Sequence, residues 1–222
     1  MLTVVAYQHM PVANANHPHP ARSHISTIHG NNGSGGPGDQ DEQYCIQSHS
    51  STVSGVTLGN FIQETLTKLD VSVIWDGSAG WRVDLWRTAK LCNEYDTATR
   101  GTIEIEYQMK DSWAHVPMCY PSYSCVVKDN GVVDSVDGHT HYKWAYVYLR
   151  RDHAGNFDTR ARKFINHETG HVLGLADPRW NGDCMYSVMH NNLYSNLGCT
   201  DPVWHPTSND FSSVTKIADR IY

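Results

Sequence analysis

Residues 167–177 read His-Glu-Thr-Gly-His-Val-Leu-Gly-Leu-Ala-Asp, the pattern HExxHxxGxxD. No other stretch constrains the fold as much, because its chemistry requires a helix through the first five residues. Two helical histidines four apart lie ~40° apart around the axis, so the His167 and His171 imidazoles can grip one metal. Glu168 stands one step along, beside that point rather than on it, where a general base for a metal-activated water belongs. Gly174 reaches φ > 0 without strain and lets the chain leave the helix and fold back. The turn then brings Asp177 to the same ion as a third ligand. Three protein ligands and an open position is the catalytic arrangement for zinc, whereas structural sites are closed by four. The bland reading of HExxH alone is two solvated histidines flanking a glutamate; Gly174 and Asp177 at these offsets favour the metal.

Downstream, residues 184–190 (Cys-Met-Tyr-Ser-Val-Met-His) contain Ser-x-Met ending at Met189. This is the form of the Met-turn, in which a methionine makes an apolar floor beneath the metal ligands. With both motifs in place, the chain resembles the metzincin zinc endopeptidases. The variant with aspartate as third ligand resembles the snapalysin-type proteases, which are small secreted bacterial neutral proteinases. The resemblance runs from about 144 to 222 and includes a loop from Cys184 past Met189 to Cys199, which implies that those two cysteines pair. Across 45–142 it is architectural only. The chain departs from the snapalysin pattern in its length, its six cysteines, and Ala176 where proline is expected.

The resemblance implies an α+β fold. A twisted, mostly parallel sheet carries a backing helix, with the active-site helix above it and an irregular C-terminal subdomain holding the Met-turn and a terminal helix. It also implies an edge strand above the cleft that pairs antiparallel with an extended peptide, a mode that makes few side-chain demands.

The 222 residues suffice for one sizeable core plus a tail. Net charge −6 gives no nucleic-acid footprint. No apolar run approaches the ~20 residues of a membrane span, and a monomer is expected. Residues 1–6 are too short and uncharged for a signal peptide, so export is expected through a segment outside this chain or by another route. Residues 1–43, with prolines and an Asn-Asn-Gly-Ser-Gly-Gly-Pro-Gly run, read as a flexible tail, linker or propeptide that buries too little to offset its ordering entropy. The catalytic domain is then 44–222, divided near 174/175.

Within it, 57–69 reads as an amphipathic helix with Leu58, Phe61, Ile62, Leu66 and Leu69 on one face. Residues 71–75, 81–86, 102–107 and 142–149 read as strands. Glu104 and Glu106 read as a solvated strand face. Asp158 or Thr159 caps the active-site helix, with Arg160, Arg162 and Lys163 outward. Ser208 caps the terminal helix.

Six cysteines without CxxC favour disulfides and an oxidising, extracellular compartment. Cys119 and Cys125 are spaced to clip a loop; Cys45 pairs with Cys92 by elimination. Carboxylates in the turns at 128–131 and 136–138 raise a calcium site as an alternative, although turn chemistry accounts for them.

The function expected is zinc-dependent hydrolysis of peptide bonds in extended protein substrates. His167, His171 and Asp177 hold the metal, and Glu168 moves the proton from water to the leaving amine. The rival readings are a catalytically silent secreted binding protein of the same fold, and a zinc hydrolase acting on cell-wall or glycoprotein substrates. Because carboxylate and imidazoles bind metal only when deprotonated, activity is expected to fall below about pH 5. A pH–rate profile with parallel zinc analysis checks this; full activity well below that pH, with zinc retained, would contradict the ligand set.

Overall fold

A computed structural model describes residues 24–25, 40–47, 52–67, 83–96, 103, 105–114, 116–119, 122, 124–128, 132–133, 140–142, 145–173, 175, 187–189, 203–208 and 210. In chain order the elements are β1 (His24–Ile25), β2 (Gln40–Ile46), β3 (Thr52–Val53), β4 (Val56–Thr57), α1 (Leu58–Thr67), β5 (Val83–Arg87), β6 (Ile105–Lys110), β7 (Ser124–Lys128), β8 (Val132–Val133), β9 (Thr140–Tyr142), β10 (Ala145–Arg150), α2 (Arg151–Ala154) and α3 (Thr159–Val172). Short 3-10 turns form at Cys92–Glu94 and Pro117–Cys119.

The architecture is α+β with a mostly parallel sheet. Its order is β5-β2-β6-β10-β7. The first four strands run parallel, and β7 closes one edge antiparallel to β10, with Ser124 opposite Leu149 and Lys128 opposite Ala145. Two small sheets, β1-β9-β8 and β3-β4, lie outside it.

Strand β6 sets the layers, because successive side chains point to opposite faces. Ile105, Tyr107 and Met109 join the main core with Leu58, Phe61, Ile62 and Leu66 of α1 and Ala161, Phe164 and Ile165 of α3. From Leu58 to Leu66 the expected apolar face of the first helix is therefore the one it buries, Leu69 lying outside the described residues, and both helices cover one side of the sheet. On the other side Glu106 and Gln108 are also buried, each about 5% exposed, with the Gln108 amide donating to Glu106 Oε2 at 3.0 Å. This corrects the reading of Glu106 as part of a solvated face. Two disulfide-linked segments cover that side: Cys45, Cys92 and Ile103 form one buried cluster, and Trp113, Val116, Cys119 and Tyr148 form another. The Cys45–Cys92 and Cys119–Cys125 bridges are formed, with Cα separations of 5.2 and 5.7 Å.

Strand β2 begins at Gln40, inside the stretch read as tail, and pairs parallel with β5 and β6. The polar run from Gln40 to Gln43 conceals it, because ladder hydrogen bonds rather than apolar content place it between two strands. Of the strands expected at 81–86, 102–107 and 142–149, the described residues form β5, β6 and β10; residues 81–82, 102 and 143–144 lie outside them. The strand expected at 71–75, Glu104, the turns at 129–131 and 136–138, and the body of the terminal helix lie outside the described residues. No helix among the described residues is long and apolar enough to cross a membrane.

One buried contact fixes α3 over the sheet. The Thr169 hydroxyl donates to the Ile165 carbonyl at 2.7 Å and lies 2.8 Å from Tyr107 Oη, which therefore donates to it. Tyr107 is fully buried, and burial pushes its phenol well above its ordinary pKa. Tyr107→Phe should cost about 1–2 kcal/mol by deleting this bond. In a chain of this size that lowers Tm by about 2–8 °C in a thermal melt.

Candidate metal centre

Helix α3 starts where the Asp158 side chain accepts from the Ala161 N–H at 2.9 Å, so Asp158 rather than Thr159 is its cap. Residues 163–170 are all buried, because the helix lies between the sheet, α1 and the segment 203–210. Arg162 ties it to α1 through Thr65 (3.1 Å) and Glu64 (2.9 Å), and the Asn166 amide donates to the Trp204 carbonyl at 2.8 Å. At the far end the Leu175 N–H reaches the Gly170 carbonyl at 2.8 Å. This is the 6→1 bond of a helix-ending turn.

His167 Nε2 and His171 Nε2 lie 3.1 Å apart. Each ring is oriented from behind by a backbone carbonyl: His167 Nδ1 faces Val188 O at 3.1 Å, and His171 Nδ1 faces Leu175 O at 2.9 Å. A carbonyl only accepts, so each Nδ1 carries the proton. Two neutral rings in that tautomer turn lone pairs toward each other across 3.1 Å, a contact that repels unless a cation is shared between them. Two nitrogens each 2.0–2.1 Å from a tetrahedral zinc stand about 3.3 Å apart. The donor set and its backing carbonyls therefore fit a divalent metal with nitrogen affinity.

Glu168 is 4% exposed, and Ser124 Oγ donates to its Oε1 at 2.6 Å. Among the described residues the three-donor group within 4.8 Å is Cys45, Cys92 and Glu106. Among the described residues Glu168 forms no such group with the two imidazoles. The Cys45 and Cys92 sulfurs are spent on each other, and a disulfide offers no thiolate ligand. Asp177, Gly174, Cys184 and Cys199 lie outside the described residues.

Met189 is 2% exposed and sits in the main core with Val188. Asp210 holds this turn. Its carboxylate accepts from Ser187 Oγ and, at 3.0 Å, from the Val188 N–H. It also accepts from the Thr207 N–H at 2.8 Å and the Thr207 hydroxyl at 3.0 Å, while the Asp210 N–H points back to Thr207 Oγ1 at 3.4 Å. Thr207, not Ser208, is therefore the cap of this last helical segment, because the Asp210 side chain completes a capping box with it. Residues 207–210, Thr-Ser-Asn-Asp, carry that signal in the sequence. Ser124 has no such signal, since its strand meets the helix only in the folded chain.

The sequence places Lys163 outward; instead it is 3% exposed on α3, for its turn faces the terminal segment rather than water. Burial lowers its pKa from 10.5 to about 8, partly offset by the charge of Asp210.

Comparisons with protein-family models, with curated proteins and with solved structures find no match to this chain.

The unfolded chain holds the Lys163 proton between pH 8 and 10.5 while the folded chain does not, so this position's contribution to stability rises with pH across that window. Lys163→Met should accordingly raise Tm near pH 7, and the gain should shrink to nothing by pH 10.5 in melts across that range.

Proposed function

We propose that this chain is a secreted zinc-dependent endopeptidase of metzincin type that hydrolyses extended segments of protein substrates. The observation that carries the reading is the opposition of the two Nε2 atoms at 3.1 Å, each ring locked by a carbonyl behind it. Asp177, six residues beyond His171, is the proposed third ligand. A zinc ion held there would supply Lewis acidity and would lower the pKa of a water toward about 7.

The chain's own residues account for the rest. The Val188 and Leu175 carbonyls keep both Nε2 lone pairs on the metal side. Glu168 accepts the water's proton on its carboxylate and returns it to the leaving amine, and its burial keeps bulk water from competing. Strand β7 is the sheet's antiparallel edge, and its outer N–H and C=O groups are suited to pairing with an extended peptide. That strand carries Ser124, which touches Glu168, so substrate lying along it passes the base. The Val188 carbonyl behind His167 belongs to the residue before buried Met189, which supports reading this stretch as a Met-turn. The two disulfides suit the oxidising compartment of a secreted protein.

Metal analysis paired with casein cleavage tests this reading. Wild type should carry one zinc per chain and lose activity to a chelator. Glu168→Ala should keep the zinc and lose about 10²–10⁴-fold in turnover. Zinc-loaded wild type that cleaves no peptide would defeat the assignment.

A further inference from the structure

The hydrogen bond between Ser124 and Glu168 joins residues 44 apart in sequence, one on a strand and one on a helix. Both ends are buried: Ser124 is 8% exposed and Glu168 4%. A buried carboxylate needs donors, and one left without them turns toward water or protonates. Ser124 Oγ supplies a donor to Oε1 and leaves Oε2 as the oxygen for proton transfer. A carboxylate held at one oxygen also keeps its plane, so the second oxygen stays in one place.

Ser124 is itself held from several sides. It is the first residue of β7 and sits opposite Leu149 in the ladder with β10. Its neighbour Cys125 is bonded to Cys119, which is 1% exposed. The loop before it is closed by the Ser122 N–H to the Cys119 carbonyl (2.7 Å) and by the Trp113 indole N–H to the Ser122 carbonyl (2.6 Å). The hydroxyl therefore projects from a braced strand end, so few rotamers have to be frozen to keep the bond.

We propose that Ser124 is a positioning residue for Glu168: it clamps one carboxylate oxygen from the edge strand and so aligns the base with whatever peptide that strand binds. The inference rests on the endopeptidase reading above. The side chain touches neither the metal nor the reacting atoms. Its effect falls on the rate of the chemical step, because misplacing the base matters there and not in ground-state binding.

The test compares Ser124→Ala, Ser124→Thr and wild type with a quenched fluorescent peptide. Ser124→Ala should lower kcat about 10–100-fold, with KM within about threefold and zinc content unchanged. Ser124→Thr keeps the hydroxyl and should restore kcat to within about threefold of wild type. Unchanged kcat in Ser124→Ala, or a loss that threonine does not restore, overturns the proposal.

A second measurement needs no activity. Ser124→Ala should lower Tm in the wild-type background, where it strips a donor from a buried carboxylate, and leave Tm unchanged in a Glu168→Ala background, where there is no carboxylate to serve. Equal shifts in both backgrounds overturn the clamp. If wild type cleaves no peptide, the endopeptidase reading has failed, and this thermal cycle still decides whether the Ser124 clamp exists.

Discussion

Two backbone carbonyls, of Val188 and Leu175, decide which nitrogen each imidazole turns toward the other. Without them the rings on α3 are ordinary neutral histidines that can carry the proton on either nitrogen. With them both Nε2 lone pairs converge across 3.1 Å, the arrangement on which the proposed metal site rests. Neither carbonyl belongs to the helix that bears the histidines. Both come from chain that follows α3, so the site exists only once that chain has folded back.

The return is held by a carboxylate rather than by apolar contact alone. Asp210 gathers donors from Ser187, Val188 and Thr207 on one side chain and so welds the Met189 turn to the start of the last helical segment. An acceptor-only carboxylate is suited to this, because its oxygens offer about four lone-pair sites. From the other side, Tyr107 and Thr169 fix the height of α3 over the sheet. The helix is thus located by hydrogen bonds at its buried faces while the core around Ile105, Phe164 and Leu173 supplies the bulk of the burial.

Such a helix carries a cost. Lys163, Asn166, His167, Glu168 and Thr169 are all buried. Each needs a polar partner that a solvated helix would not need. Ser124 meets that demand for Glu168, Tyr107 for Thr169 and the Trp204 carbonyl for Asn166. Lys163 gets less, and its lowered pKa records the shortfall. Polarity in a buried helix thus explains why α3 is met by polar groups from β6, β7 and the 203–210 segment.

What the amino-acid order determined by itself was local and periodic. The four-residue histidine spacing, the apolar stripe of α1 and the alternation of β6 follow from 3.6- and 2-residue repeats that any reader of the chain can count. The Asp158 cap and the box from Thr207 to Asp210 are likewise written within a few residues. Tertiary structure alone decided the rest. Gln40 begins a strand because two neighbours offer it a ladder, and Glu106 is buried because disulfide-linked segments close over a face that its pattern leaves to water. Ser124 reaches Glu168 because an antiparallel edge strand ends beside the helix. Each of these depends on which surfaces meet, and partners far apart in the chain leave no period for the sequence to display.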